Sequence, residues 1–196
     1  MIYAVGDSHA AFTFAGIREV TSHHLGPVTL KRVGYPEDTL LPDAVRALNL
    51  HAEDSLILCF GEIDCRCYVH PQAIRPRLDM DAVLASWVAR YLDVAKALET
   101  RGARVGVLCV PPPTTRERSW NASFPVAGTD EERVSYVLRF NRILWSGCVQ
   151  RGFFFVDIYA DYADEKGMLM TSLADECVHV RDTSRVRAAL SRLRLL

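Results

Sequence analysis

The chain has 196 residues, enough for one domain (1–196) with a sizeable core. Hydrophobic residues make up 49% and charged residues 24%, the profile of a soluble globular protein. A formal net charge of −1 gives no bulk attraction to nucleic acid or an anionic membrane, and no apolar run is long enough to span a bilayer.

Ile2-Tyr3-Ala4-Val5 is a short apolar run that ends in Gly6-Asp7-Ser8-His9. It reads as a strand stopping at a tight turn that presents Ser8 at the mouth of a helix. Unpaired N–H groups and the positive dipole end gather there and favour a developing negative charge. The plainer alternative is that Asp7 or Ser8 only caps the helix. Phe12, Phe14, Ile17 and Val20 predict a first helix over 10–24, ended by His23-His24-Leu25-Gly26-Pro27. Val28–Val33 alternates and is rich in β-branched residues, which predicts a second strand ending at Gly34. A short helix follows over Leu40–Leu50. Ser55–Phe60 is a continuous apolar run, the mark of a strand buried on both faces, and Gly61 ends it.

A loop then carries Glu62, Asp64, Arg66, His70, Arg75 and Arg77. Asp79 or Asp81 starts a long amphipathic helix with Val83, Leu84, Trp87, Val88, Tyr91, Leu92 and Ala95 at helical spacing, and Gly102 is its natural stop. Val105–Val110 is a fourth strand. Pro111-Pro112-Pro113 ends it and opens an irregular stretch to Gly128, of the length that often serves function. Arg116, Arg118, Trp120 and Asn121 on that stretch form a candidate substrate rim. Thr129 or Asp130 caps a helix running to Gln150, and Gly152 closes it. Phe153–Ile158 is the fifth strand, 161–181 a polar connection, and 183–195 the last helix.

Strands alternating with helices predict an α/β three-layer sandwich around a parallel sheet. Ligands bind such sheets beyond the strand C-termini. The segments after Gly6, Gly34, Gly61 and Val110 converge on that edge. No basic-then-apolar leader precedes the first strand. Six cysteines are too few for a disulfide scaffold of this size, and Cys59 and Cys109 lie inside apolar runs, so a cytoplasmic location is expected. Cys65-Arg66-Cys67, near Asp64 and His70, lacks the spacing of zinc hooks and has no second cysteine pair. No metal is expected.

Near the C-terminus stands Leu173-Ala174-Asp175-Glu176-Cys177-Val178-His179. Serine early, then acid and histidine late, is a sufficient set for nucleophilic catalysis. Serine is weak until a base takes its proton, histidine titrates near neutrality, and a carboxylate fixes the histidine tautomer. Either Asp175 or Glu176 serves as the acid. His9 either contacts substrate or covers the helix start. Helical neighbours point about 100° apart, so it is not the base for Ser8.

On these residues the chain resembles the SGNH/GDSL hydrolase family. Gly6-Asp7-Ser8 is similar to its first block, and Val33-Gly34-Tyr35-Pro36-Glu37-Asp38-Thr39 resembles the second. Phe60-Gly61-Glu62-Ile63-Asp64 stands where the third, Gly-x-Asn-Asp, belongs. Glu176-Cys177-Val178-His179 is similar to the fifth, Asp-x-x-His. The resemblance implies a flavodoxin-like five-stranded parallel sheet of order 2-1-3-4-5. It also implies a Ser8–His179–acid site without metal or cofactor, with an oxyanion N–H from Gly34 and a substrate-side turn at Gly61. Ile63 stands where the family has its oxyanion asparagine. Arg66 either replaces that donor or pairs with Glu62 or Asp64. The Gly-Asp-Ser-His string resembles the branch that handles O-acyl groups on glycans.

The expected activity is a serine esterase acting on an O-acyl ester of a carbohydrate or small metabolite through an acyl-enzyme. O-acyl transfer to a sugar hydroxyl at the same site, and a non-catalytic module that binds a glycan or partner, are the alternatives.

Overall fold

The computed structural model describes residues 1–119 and 123–196. Trp120 and Asn121 of the expected substrate rim lie outside the described residues. Five strands form one parallel sheet: β1 (Ile2–Gly6), β2 (Val20–His24), β3 (Ser55–Cys59), β4 (Arg104–Leu108) and β5 (Phe154–Val156). Their order is β2-β1-β3-β4-β5, with every pair parallel. This is the sheet order expected above.

Side chains alternate across the sheet and split the core in two. Leu56 and Leu58 of β3 face one cluster with Leu84, Tyr91 and Phe140. Ile57 and Cys59 face the other, with Ala10, Phe14, Val186 and Leu190. The first layer holds α5 (Met80–Ala97) and α6 (Asp130–Arg151), and the second holds α1 (Ser8–Phe12) and α8 (Ser184–Arg192). The helix starts are encoded locally. The Asp79 carboxylate accepts from the N–H groups of Asp81 and Ala82, and Thr129 and Glu132 form a reciprocal capping box. Gly152, at φ 72°, closes α6.

Two expected elements are exchanged. The helix predicted over 10–24 is only α1, followed by turns through Gly16 (φ 77°) and then strand β2. β1 would otherwise have an unpaired edge, and the β-branched Val20 and Thr21 fill it. The strand predicted over Val28–Val33 is instead the short helix α2 (Leu30–Val33). Thr29 caps it locally, its Oγ1 accepting the Arg32 N–H (3.1 Å), and a distant residue adds to the cap: the Asp64 carboxylate accepts the N–H groups of Leu30 (2.7 Å) and Lys31 (3.1 Å). Local alternation cannot foresee that partner. The helix predicted over Leu40–Leu50 is α3 (Leu40–Ala47). The loop after Gly61 is helical too, a π-helical turn at Asp64–Tyr68 running into α4 (Val69–Ala73). Among the described residues, no helix is long and apolar enough to cross a membrane.

Candidate active site

β1 ends where backbones crowd. A Cβ on Gly6 would lie 2.0 Å from the carbonyl oxygen of Cys59 on β3, so only glycine fits. The chain then turns sharply. Asp7 caps α1 by accepting the His9 N–H at 2.9 Å, and Ser8 is the first helical residue, partly exposed. From the other end of the chain, 175–179 folds into a tight loop just before α8. Asp175 Oδ1 accepts the N–H groups of Cys177 (2.7 Å) and His179 (3.0 Å), and the Asp175 N–H donates to the His179 carbonyl (2.9 Å). Arg118 braces the loop by donating from its guanidinium to the Asp175 carbonyl oxygen.

These two segments meet. His179 Nε2 lies 2.9 Å from Ser8 Oγ, and His179 Nδ1 lies 2.7 Å from Asp175 Oδ2. Glu176, the other candidate acid, is exposed. Phe12, one turn on from Ser8, stacks on the imidazole at a centroid distance of 4.2 Å. Burial raises the Asp175 carboxyl, but hydrogen bonds from the His179 ring and the loop amides outweigh it and hold it below the ordinary value. Burial and the nearby His9 ring push His179 down, more than Asp175 and Glu62 lift it, so its value lies below the ordinary one. A neutral imidazole hydrogen-bonded to a hydroxyl on one side and a carboxylate on the other can draw off the hydroxyl proton.

The remaining expected residues take other places. Gly34 is no oxyanion donor: its N–H donates to the Leu30 carbonyl (3.0 Å) at the end of α2, and its Cα packs against Arg90 and Tyr91 of α5. The misassigned second strand placed it wrongly. Gly26, at φ 86°, stands two residues past the end of β2. His24 pairs with Gly6 and Leu25 N–H donates to the Gly6 carbonyl (2.8 Å), so β2 runs out beside the end of β1, from which Ser8 follows by two residues. The N–H groups of Ser8 and Gly26 have no acceptor among the described residues. Its sequence signal was the Gly26-Pro27 pair, read instead as a helix stop.

Gly61 is a packing turn. At φ 118°, its Cβ would meet Val110 at 2.9 Å and Phe140 at 3.0 Å. Arg66 is not free to hold an oxyanion. Its Nε and Nη2 donate to Glu62 (2.7 and 3.1 Å) and its Nη1 donates to the Phe124 carbonyl (2.9 Å). Burial raises Glu62, but Arg66 outweighs it and keeps the carboxyl low. Asp64 is fully buried, and burial pushes its carboxyl up to about 7 against the two α2 amides. Ile63 is buried, with no polar atom to offer. His9 is buried as well. Its Nδ1 lies 3.1 Å from Asp7 Oδ1 and its Nε2 lies 3.3 Å from the Val178 carbonyl oxygen. Among the described residues, no group of three or more His, Cys, Asp or Glu is placed to hold a metal ion.

The five-stranded parallel sheet in this order is that of the SGNH hydrolase fold. Its structural neighbours are SGNH/GDSL lipases and esterases over nearly the full chain, at low sequence identity. A protein ascribed to the G-D-S-L lipolytic family of Desulfitobacterium hafniense superposes with TM-score 0.61 at 13% identity, covering 100% of this chain and 98% of its own. The aryl esterase of M. smegmatis gives 0.58 at 18% identity, covering 100% and 99%. A GDSL-like lipase of Bacteroides thetaiotaomicron gives 0.57 at 10% identity, covering 98% and 84%. No family model matches the sequence, and no curated protein does.

Proposed function

We propose that this chain is a serine-dependent ester hydrolase in which Ser8 is the nucleophile, His179 the base and Asp175 the group that orients it. The observation that carries the reading is the unbroken hydrogen-bonded relay, 2.9 Å from Ser8 to His179 and 2.7 Å from His179 to Asp175, at the C-terminal edge of the sheet. Ser8 Oγ attacks the ester carbonyl carbon while its proton passes to His179 Nε2. The tetrahedral oxyanion takes hydrogen bonds from the N–H groups of Ser8 and Gly26, which stand in for the absent asparagine side chain. Collapse expels the alcohol, which takes the proton from His179. Water then repeats the attack on the acyl-serine, yielding the carboxylic acid and free enzyme. The proposed substrate is an O-acyl ester, such as an O-acetyl group on a carbohydrate or small metabolite. It follows the resemblance of Gly6-Asp7-Ser8-His9 to the branch that handles such groups.

A fluorophosphonate probe tests the nucleophile directly. Wild type is expected to be labelled at Ser8, with labelling lost in Ser8→Ala and in His179→Ala. Folded wild type that resists the probe and hydrolyses no aryl or sugar acetate would refute the reading and favour a binding module.

A further inference from the structure

We infer that His9 is a buried imidazolium that ties the nucleophile turn to the His179 loop and, by its charge, keeps the His179 ring neutral. The charge follows from the hydrogen-bond inventory. Nδ1 faces a carboxylate oxygen of Asp7 at 3.1 Å, and Nε2 faces the carbonyl oxygen of Val178 at 3.3 Å. A carbonyl cannot donate, and an ionised carboxylate cannot either. A neutral imidazole has one N–H, so only the doubly protonated ring donates to both. A proton on Asp7 would sit on Oδ2, which has no hydrogen-bond partner among the described residues.

The surroundings support a cation at this point. Asp7 faces the ring from its own turn, and Glu62 adds negative charge from the segment after β3. Glu62 is itself paired with Arg66, so charges alternate from Arg66 through Glu62 and His9 to Asp7. Cys59 and Cys109, at the ends of β3 and β4, complete the titratable lining, and burial pushes both thiols up so that they stay neutral. Burial works against the charged ring, but Asp7, Glu62 and the Val178 carbonyl outweigh it and leave His9 above its ordinary value.

The consequence falls on His179. The two rings stand 5.0 Å apart, centroid to centroid, and His179 otherwise faces Asp175, Glu62 and Ser8. A second positive charge at that range opposes protonation of His179, so the base stays ready at lower pH. Val178 immediately precedes His179, so the Nε2 bond also fixes the spacing of base and nucleophile. His9 is thus a positioning residue. The catalytic consequence rests on the ester-hydrolase reading, whereas the charge and its effect on His179 do not.

Two-bond ¹H–¹⁵N correlation spectra of the folded, ¹⁵N-labelled protein report the protonation of each ring nitrogen. His9→Gln and His179→Gln supply the assignments. Near neutrality, His9 is expected to carry both protons and His179 one, with His179 titrating below His9. In His9→Gln the His179 midpoint is expected to rise by about one pH unit. The acid limb of kcat/KM on an aryl acetate should move with it. A wild-type spectrum with neutral His9 near neutrality overturns the inference, as does an unmoved His179 midpoint in folded His9→Gln. Should that variant not fold, the wild-type spectrum alone still decides the charge. If no ester is hydrolysed, the hydrolase reading falls while the spectra still decide His9.

Discussion

Replacing Asp175 by asparagine keeps the shape of the loop and removes one property, an acceptor on both oxygens. In the native loop, Oδ2 accepts from His179 Nδ1 while Oδ1 accepts from two backbone N–H groups. An asparagine amide cannot meet both demands. With its NH2 toward the ring, His179 must move its proton to Nε2, pointing a donor at Ser8 where the base is needed. With the NH2 turned the other way, it faces two backbone donors, and leaving such groups unpaired costs about 1–3 kcal/mol. The first orientation is therefore favoured, and the wrong tautomer is expected to lower kcat by roughly 10³–10⁴, or about 4–5.4 kcal/mol at about 1.36 kcal/mol per decade. The Asp175 side chain is 29% exposed, so water softens the effect toward the lower bound. The assay is initial-rate hydrolysis of p-nitrophenyl acetate, with near-UV circular dichroism to confirm the fold. Glu176→Gln, on an exposed residue, is expected to stay within about threefold of wild type. Comparable losses in both variants, or an Asp175→Asn loss under about tenfold, would refute this account of the relay.

Glu62→Gln leaves the buried Arg66 guanidinium without its anion and is expected to cost about 3 kcal/mol, lowering Tm by roughly 6–12 °C. A melt unchanged by the substitution would show that the pair contributes nothing to the fold. His9 also links stability to pH. Its folded value is raised, so its contribution is full below the ordinary histidine value and is lost as pH rises through the folded one. Thermal melts should therefore show wild type losing stability as pH rises above the ordinary histidine value, with a shallower slope in His9→Gln. Asp175 acts oppositely: its folded value is lowered, so its stabilisation is present above the ordinary carboxylate value and is lost as pH falls through the folded one. Asp175→Asn should flatten the acid side of the same curves.

Much of this protein was legible from one dimension. The buried runs of β3 and β4, the caps at Asp79 and Thr129, and the stop at Gly152 are local signals, because burial on both faces and helix-end hydrogen bonds act within a few residues. The sheet order came from the family resemblance, whereas the gathering of Ser8 and the loops at one edge followed from the succession of elements, since strands in α/β units point their C-termini to one edge.

Other features depended on partners distant in sequence. The strand at 20–24 fills the open edge of β1, and the helix at 30–33 takes part of its capping from the distant Asp64 carboxylate beside the local Thr29. That exchange left the Gly34 N–H engaged inside α2. The choice between Asp175 and Glu176 required loop geometry, because one residue of offset reverses which carboxylate faces the ring. The roles of Arg66 and His9 required burial. Both types suit an exposed substrate site equally well, and only the packed interior shows them engaged with Glu62 and Asp7. Sequence determined which chemistry was available at the sheet edge. Tertiary structure decided which groups are free to perform it, because hydrogen-bond valence is shared among whatever the fold brings into contact.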